Sequence, residues 1–245
     1  MNVPRQYIEL VGVHLKEMRN QIWFIMMVQL VLSMGLVLGY GYLIPDISRS
    51  AALYLTTGAA TQSFVTVGLV MLPQFISEAK TLGRFEYFLT LPISREAYLL
   101  SLITVVAMMA LPGVAFSVAL GAWHYDLPLT VSPVIVPVAL LTFFSLAGVG
   151  VVMAVLSPHP QVTNALTQLI IFYVVFFAPV IIPHSQLPSL LQHVSVVMPP
   201  TYAADAVRGA LTDLPGTHLL RSMLVLSGFA VVSLTISATT IRRRG

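Results

Sequence analysis

The sequence predicts an all-α polytopic membrane protein with six transmembrane helices, and three observations predict it. The 245 residues are 57% hydrophobic and only 9% charged, with a mean hydropathy of +0.90. Globular domains carry about 25% charged residues. Second, uncharged apolar stretches of span length recur along the chain, and about 20 residues at 1.5 Å rise cross a ~30 Å hydrocarbon core. Third, the charges that exist are gathered between those stretches. Six of the 21 charged side chains fall in the single segment from Ser77 to Glu96.

The elements follow in order. Residues 5–20 set Ile8, Val11, Leu15 and Met18 at helical spacing, with Arg5, Glu9, Lys16 and Arg19 largely off that stripe. This is the pattern of a helix lying in the interface plane. Spans are expected at Ile22–Ile44, Ala52–Ile76, Ala97–Trp123, Val131–Leu156, Thr163–Ile182 and Leu219–Ile241. Between the last two, residues 186–213 are too apolar for a loop and are broken by Pro199-Pro200. Apolar segments of about 10–14 residues suit short re-entrant helices, here a pair dipping into the outer leaflet. The whole of 1–245 reads as one membrane domain, since no soluble stretch is long enough to bury a core of its own.

Orientation follows from the Lys and Arg distribution. With the N-terminus inside, nine of the 12 (Arg5, Lys16, Arg19, Lys80, Arg84, Arg95, Arg242, Arg243, Arg244) fall on the cytoplasmic side, against Arg49, Arg208 and Arg221 outside. Both termini are therefore expected in the cytoplasm of a cell-membrane protein. The net charge of +3 reflects this orientation rather than nucleic-acid binding. Glu9, Lys16, Glu17 and Arg19 precede a full-length span with no small-residue cleavage site, as in an uncleaved signal-anchor. There are no cysteines, which excludes disulfides and thiol chemistry.

Other chemistries have little support. The span interiors hold no Asp, Glu, Lys or Arg, although ion-coupled carriers place such groups near mid-membrane. The histidines at 14, 124, 159, 184, 193 and 218 form no HxxxH or HExxH pattern, so no metal site is expected. His124 with Asp126 is the one loose pairing for an enzyme acting on lipid. Neither Lys16 nor Lys80 follows a glycine-rich loop, so the chain has no phosphate-cradling motif of its own. If ATP drives it, another chain binds the ATP and Mg, and this chain binds no cofactor.

The charged segment is then the feature that needs a purpose. A coupling helix is expected at 77–91, with Leu82, Phe85, Phe88 and Leu89 forming an apolar stripe among Glu78, Lys80, Arg84 and Glu86. Pro92 stops it, and Ser94 is placed to cap the next helix. A charged-edged apolar stripe either lodges in a partner's groove or rests on the lipid surface.

The run EAKTLGRFEYFLTLPISREAYLLS resembles the hallmark of ABC-2-type transporter permeases, through Glu78, Gly83, Glu86, Leu89, Leu91, Pro92, Ile93, Ser94 and Arg95. MPPTYAADAVRGAL is similar to that family's element before the last span, through Pro199, Pro200, Thr201, Tyr202, Asp205 and Arg208. In size the chain is similar to permeases of the daunorubicin-exporter and sodium-exporter type. The resemblance implies two permeases, identical or homologous, seated on two ABC ATPase subunits. It also implies that Glu78, Leu82, Gly83, Arg84, Phe85, Glu86, Phe88, Leu89, Pro92 and Arg95 couple to the ATPase. Export of a hydrophobic or amphipathic compound such as a drug or antibiotic is the expected task. Lipid or polysaccharide export and an ATP-independent carrier are the alternatives.

Several residues leave two readings open. Gly35 and Gly39 form GxxxG, serving either the permease dimer or close packing within one chain. Gln29, Gln62, Ser63, Thr66 and Gln168 either line a substrate path or form interhelical hydrogen bonds. Phe172, Tyr173, Phe176 and Phe177 face either a hydrophobic ligand, a second permease or lipid. Asp205 and Arg208, three apart, either pair and, with Tyr202, hold the short outer helices in place, or contact substrate; the structural role is the expected one.

Overall fold

The computed structural model describes residues 3–43, 47–83, 94–130, 132–177, 180–181 and 188–243. These residues are organised as helices joined by short connections, without strands among them. In chain order they are α1 (Val3–Glu17), α2 (Arg19–Leu43), α3 (Arg49–Thr81), α4 (Arg95–Tyr125), α5 (Ile135–Leu156), α6 (Pro160–Phe177), α7 (Ser189–Ser195), α8 (Pro199–Leu211) and α9 (Leu219–Arg243). Five of them, α2, α3, α4, α5 and α9 (the last over Leu219–Ser237), are long and apolar enough to cross a membrane. The fifth expected span begins as α6; residues 178–179 and 182, where it was expected to end, lie outside the described residues.

The bundle is built around α3. In its most apolar 18-residue window 72% of residues are buried, against 22% in α2 and in α9. Phe64, Val65, Val67, Leu69, Leu72 and Ile76 of α3 meet Ile103, Val105 and Val106 of α4 and Leu146, Ala147 and Val151 of α5 in one core. The outer helices turn large side chains outward: Trp23, Phe24, Met27 and Val31 on α2, and Leu220, Leu224, Val231 and Val232 on α9. That exposed apolar band is what lipid covers in a membrane protein.

Two π-helical turns interrupt α-helical geometry, Gly35–Gly39 in α2 and Thr66–Met71 in α3. The second has a local cause. Pro73 follows it by two residues, and a proline has no N–H for the carbonyl four residues back and crowds that carbonyl. A widened turn just before the proline relieves the conflict. Beside it α5 comes very close: a Cβ on Gly150 would stand 2.2 Å from the Gly68 carbonyl oxygen. A Cβ on Gly148 would meet Ser233 of α9 at 2.0 Å. These two glycines let α5 pack against both neighbours at once.

α1 departs from its expected orientation. The face it buries is Gln6, Leu10 and His14, continued by Met18, while Ile8 and Leu15 of the apolar stripe stay exposed. The partly polar face has partners on α4, and these decide the matter. Leu10 packs with Ala97 and Tyr98, Tyr7 Oη shares a 2.8 Å hydrogen bond with Thr104, and the His14 ring lies edge-on to Tyr98 at 5.1 Å. Of the apolar stripe, Ile8 and Leu15 are thereby left on the outer face, while Met18 and Val11 pack on the core.

α8 also differs from a helix merely dipping into lipid. Ala203, Ala204, Ala206, Val207, Ala210 and Leu211 are buried, and the helix packs against α3, α5 and α9. Small alanine side chains permit that approach. Pro199 and Pro200 stand at its first positions, where a missing N–H costs no helical bond.

Candidate functional site: the charged end and the polar seam

The charged segment emerges from the end of α3. Of the helix expected at 77–91, residues 77–81 form the last turn of α3, Leu82 caps it, and Gly83 turns the chain with φ 66°. Only glycine takes that left-handed conformation without steric cost, which ends the helix at this point. Arg84, Phe85, Glu86, Phe88, Leu89 and Pro92 lie outside the described residues. The segment re-enters at Ser94, whose Oγ accepts a hydrogen bond from Ala97 N at 3.1 Å as the N-cap of α4. Arg95 is the first residue of that helix. Ser94 N in turn donates to Gln6 Oε1 at 3.2 Å, so α1 grips the segment's far end.

Its near end is held as firmly. Lys80 Nζ donates to the carbonyls of Ala154 (2.9 Å) and Ser157 (3.0 Å), the terminal acceptors of α5. An ammonium there satisfies orphan carbonyls and meets the negative end of the helix dipole. In sequence Lys80 is one of the charges around the apolar stripe, and nothing marks this bond, because its acceptors are backbone carbonyls of a distant helix. Glu78 is exposed on the same turn and lines two cavities, one with His14, Glu17 and Tyr98, the other with Gln74, Pro160, Gln161 and Asn164. Burial lowers the His14 pKa below its usual 6.5, opposed by Glu17, whose Oε2 is 3.5 Å from Nδ1.

Along the spans, the structure separates polar residues that sequence left undivided. Gln29 is buried, and its Nε2 donates to the Ser63 carbonyl at 3.1 Å, tying α2 to α3. Gln62 and Thr66 instead stay partly open on α3, and Gln168 and Phe172 are exposed on α6, Phe172 to 58%. Of Phe176 only the backbone is described. Two side-chain hydrogen bonds join α3 to α6 towards the charged end. Gln74 Nε2 donates to Thr167 Oγ1 at 3.3 Å, and Ser77 and Thr163 share a 2.9 Å hydroxyl contact. Among the described residues nothing lies within 4 Å of where a Cβ on Gly35 or Gly39 would stand, so neither serves close packing among them.

At the opposite end the expected ion pair is replaced by two separate arrangements. Asp205 Oδ2 accepts from Ser222 Oγ at 2.6 Å and from His218 N at 3.1 Å, fastening α8 to the start of α9. Arg208 is only 4% exposed; its Nη2 donates to the Val180 carbonyl at 3.0 Å, and its guanidinium lies 3.8 Å from the Tyr54 ring centre. Burial pushes its pKa down to about 10 against the pull of Tyr54 and Asp205, so it stays protonated at neutral pH. Tyr202 Oη donates to the Val196 carbonyl at 2.8 Å, between α8 and the end of α7.

Residues 7–212 match the ABC-2 type transporter family, and the chain belongs to it. Nodulation protein J of Rhizobium meliloti (strain 1021) is 28% identical over 108 residues, 44% of this chain and 41% of that protein. The namesakes from Sinorhizobium fredii (strain NBRC 101917 / NGR234) and Rhizobium leguminosarum bv. viciae are 28% and 26% identical over the same length. The matched segment spans about two-fifths of these curated relatives.

Proposed function

We propose that this chain is the permease subunit of an ATP-driven exporter, moved by a separate ABC ATPase that grips residues 77–95. The observation that carries this reading is the anchoring of that segment at both ends. Lys80 ties its start to α5 and Ser94 with Gln6 ties its end to α4 and α1. A push on a segment so held reaches α3, the centre of the bundle. ATP favours one geometry of the motor, and the segment passes that bias to the spans as a differential affinity.

In this reading α6 continues to a sixth span, both termini are cytoplasmic, and two permeases, alike or homologous, stand side by side. Gln62, Thr66, Gln168 and Phe172 line the path between them, with Phe176 on the same helix. A half-open polar face on otherwise apolar spans supports this, since lipid gives such groups no partner. The cargo is a hydrophobic or amphipathic compound. Proteoliposomes holding permease and ATPase test it: dye or drug flux that needs ATP supports the reading, and equal flux without nucleotide contradicts it.

A further inference from the structure

At the end of the molecule away from the charged segment, α3, α8 and α9 line an open cavity of about 300 Å³. Tyr54, Asp205, Arg208, His218, Arg221 and Ser222 are among its walls. Arg208 forms its buried part, and the described residues do not satisfy it. A guanidinium has five N–H donors; Nη2 reaches the Val180 carbonyl, while Nε is buried without an acceptor. No ion pair joins it to the nearby carboxylate: Asp205 Oδ2 takes the Ser222 hydroxyl and the His218 N–H, and its charge acts on Arg208 only at longer range. Arg221 adds a second, exposed guanidinium at the rim. Two permanent cations against one carboxylate leave the lining with a net positive charge even when His218 is neutral.

Stacking on Tyr54 orients the Arg208 fork, and a planar, oriented guanidinium is matched to an oxyanion with two acceptor oxygens. Leu220 and Leu224, exposed on the same turns of α9, add an apolar surface next to the charged rim. We propose that this cavity binds a phosphate-type oxyanion, the headgroup of an anionic amphiphile or free phosphate, between Arg208 and Arg221.

The test uses the full chain in nanodiscs, without nucleotide or ATPase, so failure of this site and failure of the coupling reading are distinguishable. One arm measures by native mass spectrometry how strongly phosphatidylglycerol is retained over phosphatidylcholine. The other measures the melting temperature with added inorganic phosphate. The wild type is expected to retain phosphatidylglycerol about tenfold better, and Arg221→Gln to lose most of that preference. Asp205→Asn, which keeps an acceptor for the His218 N–H while removing the opposing charge, is expected to tighten binding. Stabilisation by phosphate without a lipid preference, lost in Arg221→Gln, identifies the free anion as the ligand. Neither effect in the wild type, or both unchanged in Arg221→Gln, overturns the proposal.

Discussion

Lys80 of α3 caps α5 by donating to the Ala154 carbonyl at 2.9 Å, a bond between helices 74 residues apart in sequence. It fixes the point from which the charged segment leaves the bundle. Lys80→Met removes a charge-assisted bond and leaves two terminal carbonyls of α5 without their ammonium. The expected cost is about 1–3 kcal/mol, read as a lower melting temperature in detergent. Lys80→Arg should recover part of it. An unchanged melting temperature in Lys80→Met would show that the bond does not hold the segment.

Two glycine positions predict opposite outcomes. Gly150→Ala drives a Cβ into the Gly68 carbonyl, at 2.2 Å, and should destabilise by about 1–3 kcal/mol through forced separation of α3 and α5. Gly35→Ala adds a methyl into open space and should leave the melting temperature of the single chain unchanged. If Gly35 serves a second permease, the same substitution weakens dimer formation in crosslinking. Equal effects of the two substitutions on melting would contradict the packing described.

The Ser94 cap gives a local prediction. Ser94→Ala should cost about 1 kcal/mol, and Gln6→Leu should add to it less than independently, because both act on the same turn. A double-mutant cycle of thermal unfolding checks this.

His14 predicts a pH dependence. Burial lowers its folded pKa below 6.5, so the unfolded chain takes up its proton first as pH falls. Stability is therefore full above about pH 6.5 and declines as pH drops through and below that value. The charged or titratable neighbours around its cavity are Glu17, Glu78 and Tyr98. Melting temperatures from pH 7.5 to 5.5 should fall for the wild type and fall less for His14→Phe. Identical slopes would assign the pH dependence to other groups.

The spans were legible because charge is excluded from lipid, so its gaps mark them along the sequence, as for α2, α4 and α9. The Ser94 cap was legible for a similar reason: a short-range rule needs only local residues. What stayed hidden depended on partners distant in sequence. The buried face of α1 carries Gln6 and His14, which periodicity assigns to water until Ser94 and Tyr98 are known to face them. Asp205 and Arg208 suit a pair by spacing, yet Ser222, His218, Val180 and Tyr54 compete successfully for them. The stop at Gly83 needed the sign of φ, which sequence leaves open for any glycine. The π turn before Pro73 was equally silent, because the proline only requires that the helix adjust.

The central claim is that residues 77–95 couple this permease to a separate motor, and co-purification tests it most directly. The detergent-solubilised chain is pulled down from its native membrane beside a Glu86→Arg variant, and bound proteins are identified by mass spectrometry. The account predicts a P-loop ATPase with the wild type and its loss from the variant at equal permease recovery. A permease that comes down without any ATPase, or one whose ATPase is retained in the variant, would contradict it.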